Sequence, residues 1–67
     1  MTKGKVNEYN IDRGYGSILE TETGKMFTVY ANYINLKEGE ALKEGQDVEF
    51  EIQKNRGESW AVNVSIL

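Results

Sequence analysis

The 67-residue sequence contains no cysteine and no histidine. Without cysteine the chain can form neither a disulfide framework nor a thiolate metal site, and without histidine it lacks the commonest general base and metal ligand. A serine triad and a cysteine nucleophile are therefore both excluded. Carboxylate pairs remain, but so small a domain has little room for a buried cleft that would activate them. We expect a binding protein rather than an enzyme, without a metal or cofactor.

Long apolar runs are also missing. No segment of the sequence approaches the length of a signal peptide or of a membrane span. The absence of cysteine fits a reducing compartment. The sequence therefore predicts one small cytoplasmic domain over residues 1–67, with no membrane association.

The negative charge is concentrated in one part of the chain. The formal net charge is -3, which argues against a nucleic-acid binder that works by bulk positive charge. Residues 35–52 sum to -4, whereas residues 1–34 sum to 0 and residues 53–67 to +1. Another face of the protein can therefore be neutral or locally basic.

Residues 13–18 read Arg-Gly-Tyr-Gly-Ser-Ile and place two glycines at alternate positions. Such glycines let another backbone or a ligand approach closely. Strand alternation turns Ile18 toward a core and leaves Tyr15 at the surface beside Arg13. An exposed ring next to a guanidinium suits an unstacked base and its phosphate. The alternative is an ordinary strand after a glycine turn, because short motif matches are often false.

Alternation of apolar and polar residues predicts five short strands. We place them at residues 3–11, 15–20, 25–31, 47–53 and 60–66. Residues 32–46 predict a long loop with one short turn. An RNA-recognition fold would need two helices, for which no segment has the period. Because an open sheet would expose its edges, we predict an all-β fold, a small five-stranded Greek-key barrel of the OB type.

The same alternation predicts which strand residues face the core. The inward set in the last two strands is Val48, Phe50, Ile52, Val62, Val64 and Ile66. In the third strand Met26 is the better core candidate, so we expect Phe27 to face outward. Trp60 is separated from Val62, Val64 and Ile66 by even numbers of residues, so alternation places it on the same face as these inward residues. It either caps the core or serves as a displaced stacking residue.

Several short motifs together resemble those of bacterial cold-shock proteins, in their order and spacing, over essentially the whole chain. The matching pieces include Gly4-Lys5-Val6, Asn10, Arg13-Gly14-Tyr15-Gly16, Phe27 with Tyr30, Leu42-Lys43-Glu44-Gly45-Gln46, Phe50-Glu51-Ile52 and Asn55-Arg56-Gly57. The resemblance implies an OB-type barrel of five antiparallel strands without a cofactor. It also implies binding of single-stranded RNA or DNA, with pyrimidine-rich runs preferred. The implied roles are RNA chaperone and regulator of transcription or translation.

The sequence departs from that family pattern at positions that carry rings. Glu8 stands where the family has a base-stacking tryptophan, Ser17 replaces a phenylalanine, and Val29 replaces a histidine. Stacking contributes about 1–3 kcal/mol per base, and a carboxylate repels phosphate. We therefore expect weakened or altered binding.

The residue classes that the chain keeps define the predicted nucleic-acid site. Rings are expected to form a stacking platform, and cations to meet the phosphates. The predicted site residues are Lys5, Arg13, Tyr15, Phe27, Tyr30, Arg56 and Trp60. The alternative is that the same surface serves a protein partner or a dimer, with little nucleic-acid binding. Both a monomer and a strand-exchanged dimer are compatible with the sequence.

Overall fold

Short alternating segments separated by glycine turns form strands throughout the computed structural model, which describes residues 1–67. The strands are β1 (Thr2–Asn10), β2 (Tyr15–Glu20), β3 (Met26–Tyr30), β4 (Ile34–Asn35), β5 (Asp47–Asn55) and β6 (Glu58–Ile66). A 3-10 turn at Ala31–Tyr33 precedes β4. The five longer strands confirm the predicted all-β fold. The two-residue β4 lies in the segment predicted as a loop, next to its expected turn.

The strands close into a barrel in the order β3-β2-β1-β5-β6. Neighbours along this order pair antiparallel. The barrel is closed by a parallel pairing of β3 with β6, which joins Thr28 to Trp60 and Val29 to Ala61. β4 pairs with the later part of β6, at Val64 and Ser65, also in parallel register. We predicted a closed barrel because an open sheet would expose its edges, and the barrel is closed.

Nine apolar side chains fill the barrel. They are Val6, Ile18, Phe27, Val29, Leu42, Val48, Phe50, Ala61 and Val64. No polar or charged residue is buried with them. Leu42 comes from the segment predicted as a loop and is only 2% exposed, so that loop supplies a core side chain that alternation did not reveal.

The prediction of which β3 side chains face the core is wrong. Phe27 is 7% exposed and packs against Phe50 with ring centroids 5.8 Å apart, whereas Met26 is 49% exposed. Phe27 lies directly opposite the fully buried Ile18 on β2. Because directly opposed residues share a face of the sheet, this register turns Phe27 inward and Met26 outward.

The phase of β6 changes partway along the strand. Asn63 has a φ of 52°, and the register between β5 and β6 shifts by one residue at this point. Such a β-bulge moves the side chains beyond it to the other face. Val64 is therefore buried as predicted, but Ala61 takes the inward place expected for Val62. Val62 and Ile66 are half-buried.

Candidate nucleic-acid interface

The outward face of β2 and β3 carries two tyrosine rings. Tyr15 and Tyr30 are directly opposed in the antiparallel register and are 43% and 45% exposed. Side chains so opposed on one face have Cβ atoms about 4.5–5.5 Å apart. The two rings therefore form one continuous surface, and Asn10 of β1 completes their row.

Gly16 determines how closely β1 approaches this surface. A Cβ atom at position 16 would lie 2.2 Å from the backbone oxygen of Glu8 and 2.7 Å from the Cα of Tyr9. The prediction that an alternate glycine admits another backbone is thus confirmed at this residue. The register between β1 and β2 shifts between Val6 and Glu8, and beyond this shift Glu8 stands directly opposite Ser17.

A second row crosses the outward face beside the tyrosines. Its members, from β1, β2, β3 and β6, are Glu8, Ser17, Thr28 and Trp60. Trp60 lies on the strand itself, and the inward place next to it belongs to Ala61, which is fully buried. The half-buried indole is therefore an outward side chain rather than a core cap. It lines a shallow groove together with Thr28 and Tyr30.

The three rings predicted as one platform separate into two places. Tyr15 and Tyr30 share the outward face, but Phe27 lies in the core at one end of the barrel. Part of the Phe27 ring lines a cleft there. Val29, whose departure from the family pattern was expected to change the surface, is fully buried. The outward positions of β3 are instead Thr28 and Tyr30.

Arg13 belongs to the tyrosine surface. The turn before β2 is held by the backbone N–H of Arg13, which donates to Oδ1 of Asn10 at 3.1 Å. The φ of 75° at Gly14 then leads the chain into β2. In this arrangement the Arg13 guanidinium donates to the Tyr15 hydroxyl oxygen at 3.4 Å. A positive charge and a ring face are thus presented together.

The other predicted cations lie away from the rings. The Lys5 ammonium pairs with an Asp47 carboxylate oxygen at 3.2 Å, and both side chains are more than half exposed. Such a surface pair is weak, so it leaves Lys5 available to other anions. Arg56 lies in the turn between β5 and β6 with a φ of 52°.

Arg56 is joined by two lysines that the sequence did not single out as site residues. Lys25 and Lys54 line the same cleft as Arg56, with Phe27 and Ile52 also lining it. The sequence feature that could have identified Lys54 as a site residue was its place directly before the predicted turn. Carboxylates at Glu20 and Glu58 also line the cleft, which leaves one net positive charge.

The fold offers no other obvious chemical centre. Side chains that could hold a metal ion do not gather in threes anywhere in the structure. A helix with the length and apolar character to cross a bilayer is not found in it.

Comparison with known proteins decides the family. A sequence model described as the 'Cold-shock' DNA-binding domain matches residues 2–67. The chain belongs to the cold-shock domain family. Cold-shock domains are nucleic-acid-binding domains, and the family resemblance of the short motifs is thereby confirmed.

Curated cold-shock proteins resemble the chain over most of their length. A cold shock-like protein of Thermotoga maritima is 38% identical over 65 residues, which cover 97% of each chain. A cold shock protein of Geobacillus stearothermophilus is 45% identical over 58 residues, covering 85% of this chain and 86% of its own. A cold shock-like protein of Escherichia coli is 37% identical over 65 residues, covering 97% and 94%.

Proposed function

We propose that this cold-shock domain binds single-stranded RNA or DNA, with pyrimidine-rich segments preferred, through the surface of Tyr15 and Tyr30. The directly opposed, exposed rings carry this proposal. Bases stack on such rings whatever their sequence, and the adjoining Arg13 guanidinium can meet a phosphate. The proposal includes a cytoplasmic RNA chaperone or regulator of transcription or translation that works as a monomeric domain of residues 1–67.

Binding on this surface differs from that of a family member with a full set of rings. Beside the tyrosines, three of the four places in the second row hold a serine, a threonine and the Glu8 carboxylate instead of large stacking faces, and Trp60 is its one ring. Each missing stack costs about 1–3 kcal/mol. We expect an affinity lower than the family pattern would give, on the order of a hundredfold for two lost rings.

Alanine substitution of the two tyrosines tests the proposal. Tyr15→Ala and Tyr30→Ala should each weaken binding of a fluorescently labelled heptathymidine by about 1–3 kcal/mol, because stacking is lost from exposed rings that add little to the core. Fluorescence anisotropy at low salt measures the affinity, and circular dichroism checks that the barrel stays folded.

Tyr33→Ala supplies the matched control. Tyr33 is 41% exposed, like the other two rings, but lies on the 3-10 turn outside both rows. Its loss should leave the affinity nearly unchanged. Equal affinities for wild type, Tyr15→Ala and Tyr30→Ala would contradict a nucleic-acid role for this surface.

A second candidate function is contact with a protein partner. Leu19 and Met26 are directly opposed on the outward face and are 39% and 49% exposed. Adjacent exposed apolar side chains form a patch, and large patches of this kind mark protein-contact surfaces. Under this alternative the tyrosine substitutions would leave nucleic-acid affinity at its baseline, and Met26→Ala would weaken self-association in sedimentation velocity.

A further inference from the structure

The tyrosine surface has two exits for a bound strand, one across β1 and one across β6. On the β1 side a groove passes Glu8, Asp12 and Arg13, which together carry one net negative charge. On the β6 side the groove of Thr28 and Tyr30 passes Trp60. The β1 groove also includes Tyr9, but that ring packs against the core, whereas Trp60 on the β6 side lines the same groove as Tyr30.

The β6 groove continues into the basic cleft at the end of the barrel. Glu58 and Ser59 line both of them, so the two concavities adjoin. Beyond this junction stand Lys25, Lys54 and Arg56. Of the two carboxylates in the cleft, only Glu58 also lines the groove of Trp60, so Glu58 is the acid along the path.

The indole of Trp60 makes no hydrogen bond to another group of the protein, and its Nε1 is buried. A tryptophan at a half-buried outward place, in register with Thr28, is therefore explained better by its ring face than by a polar contact. Ring faces next to cations are what a single strand requires.

We propose that a single strand stacked on Tyr15 and Tyr30 leaves this surface across β6, over Trp60 and into the cleft of Lys25, Lys54 and Arg56, and not across β1. This inference rests on the proposed function. The indole of Trp60 takes a base, and the three cations hold the phosphates that follow. Glu8 marks the side that the strand avoids.

Two glutamate-to-glutamine substitutions distinguish an exit of the strand across β6 from an exit across β1. Glu58→Gln removes a carboxylate from the β6 path, and Glu8→Gln removes one from the β1 side. We expect Glu58→Gln to raise heptathymidine affinity about threefold at about 0.15 M salt, where exposed charges interact over about 8 Å, and Glu8→Gln, which lies beside the path rather than along it, to raise the affinity by less. A larger gain from Glu8→Gln would overturn the β6 path.

Trp60 also reports the path directly, since it is the only tryptophan of the chain. Stacking of a base should quench its fluorescence along the same titration curve that anisotropy follows. Anisotropy that saturates while Trp60 fluorescence stays constant would refute the β6 path but leave the proposed function intact. An absence of any anisotropy change would refute the proposed function and this inference together.

The cleft is tested by its lysines. Lys54→Gln and Lys25→Gln should each flatten the slope of log affinity against log salt by about 0.7, the value for one phosphate contact to a single strand. Lys43→Gln on the loop before β5 is the control, with the same change of charge and no change of slope expected. Slopes that respond equally to all three substitutions would overturn the assignment of the cleft.

Discussion

Phe27 touches Phe50 inside the barrel, and Met26 beside it faces solvent. Both side chains are large and apolar, yet only one of them contributes a full buried surface to folding. A buried phenylalanine truncated to alanine costs about 3–5 kcal/mol, because apolar contacts are lost and a cavity remains. An exposed methionine loses little.

Phe27→Ala should therefore lower the free energy of unfolding by about 3–5 kcal/mol, and Met26→Ala by less than about 1 kcal/mol. Urea unfolding followed by Trp60 fluorescence measures both. Phe27→Ala is also expected to be close to the limit at which so small a domain stays folded. The opposite order of the two losses would show that the β3 phase is reversed.

Neighbouring apolar residues explain why the sequence could not assign this phase. Met26 and Phe27 each fit an alternating pattern, so the local pattern allows either face. The choice is made by the register with β2, where Ile18 is fully buried. Tyr15 could be placed at the surface from strand alternation, whereas Tyr30 was placed there only through the family resemblance. The separation of Phe27 from both rings follows from a pairing between strands.

At the scale of elements, the contact between β1 and β2 depends on a missing side chain. Gly16 lies so close to the backbone of Glu8 and Tyr9 that a methyl group has no room. Gly24, in the turn between β2 and β3, has a φ of 74°, and a Cβ atom there would meet nothing within 4 Å. The first glycine is required for packing and the second for its backbone conformation.

Gly16→Ala should lower the free energy of unfolding by about 1–3 kcal/mol or more, since β1 and β2 must move apart. Gly24→Asn should cost less than about 1 kcal/mol, because asparagine tolerates positive φ. Thermal unfolding by circular dichroism compares the two variants. A smaller loss at position 16 than at position 24 would contradict the close approach of the strands.

The positions of the strands and turns were predictable because they depend on local signals. Val48 and Phe50 alternate with acidic residues, and glycine turns mark the ends of the hairpins. The bulge at Asn63 was not predictable, since it arises where β6 must fit its partner β5. Leu42 was missed for a related reason: one apolar residue in a loop has no period to reveal its burial.

At the scale of the whole molecule, net charge and binding are separable. The acidic segment 35–52 includes most of β5, whereas the cations nearest the proposed path stand in the turns and at the barrel end. Binding should therefore rely on stacking more than on charge. With phosphates at Arg13, Lys25, Lys54 and Arg56, the slope of log affinity against log salt is expected to be about -2 to -3, at about -0.7 per phosphate. Anisotropy titrations from low to moderate salt measure it, and a slope steeper than about -4 would contradict it.

The parallel pairing of β3 with β6 determines when the barrel can close during synthesis of the chain. β6 pairs with β3, β4 and β5, so the barrel cannot close until residues 58–66 have left the ribosome. The ribosome adds about 5–20 residues per second, so the unclosed chain persists for a fraction of a second or longer. During that interval β3 and β5 have no β6 to pair with. A nascent chain whose residues 58–66 are still within the ribosome therefore presents the unpaired edge of β3 to a neighbouring polypeptide.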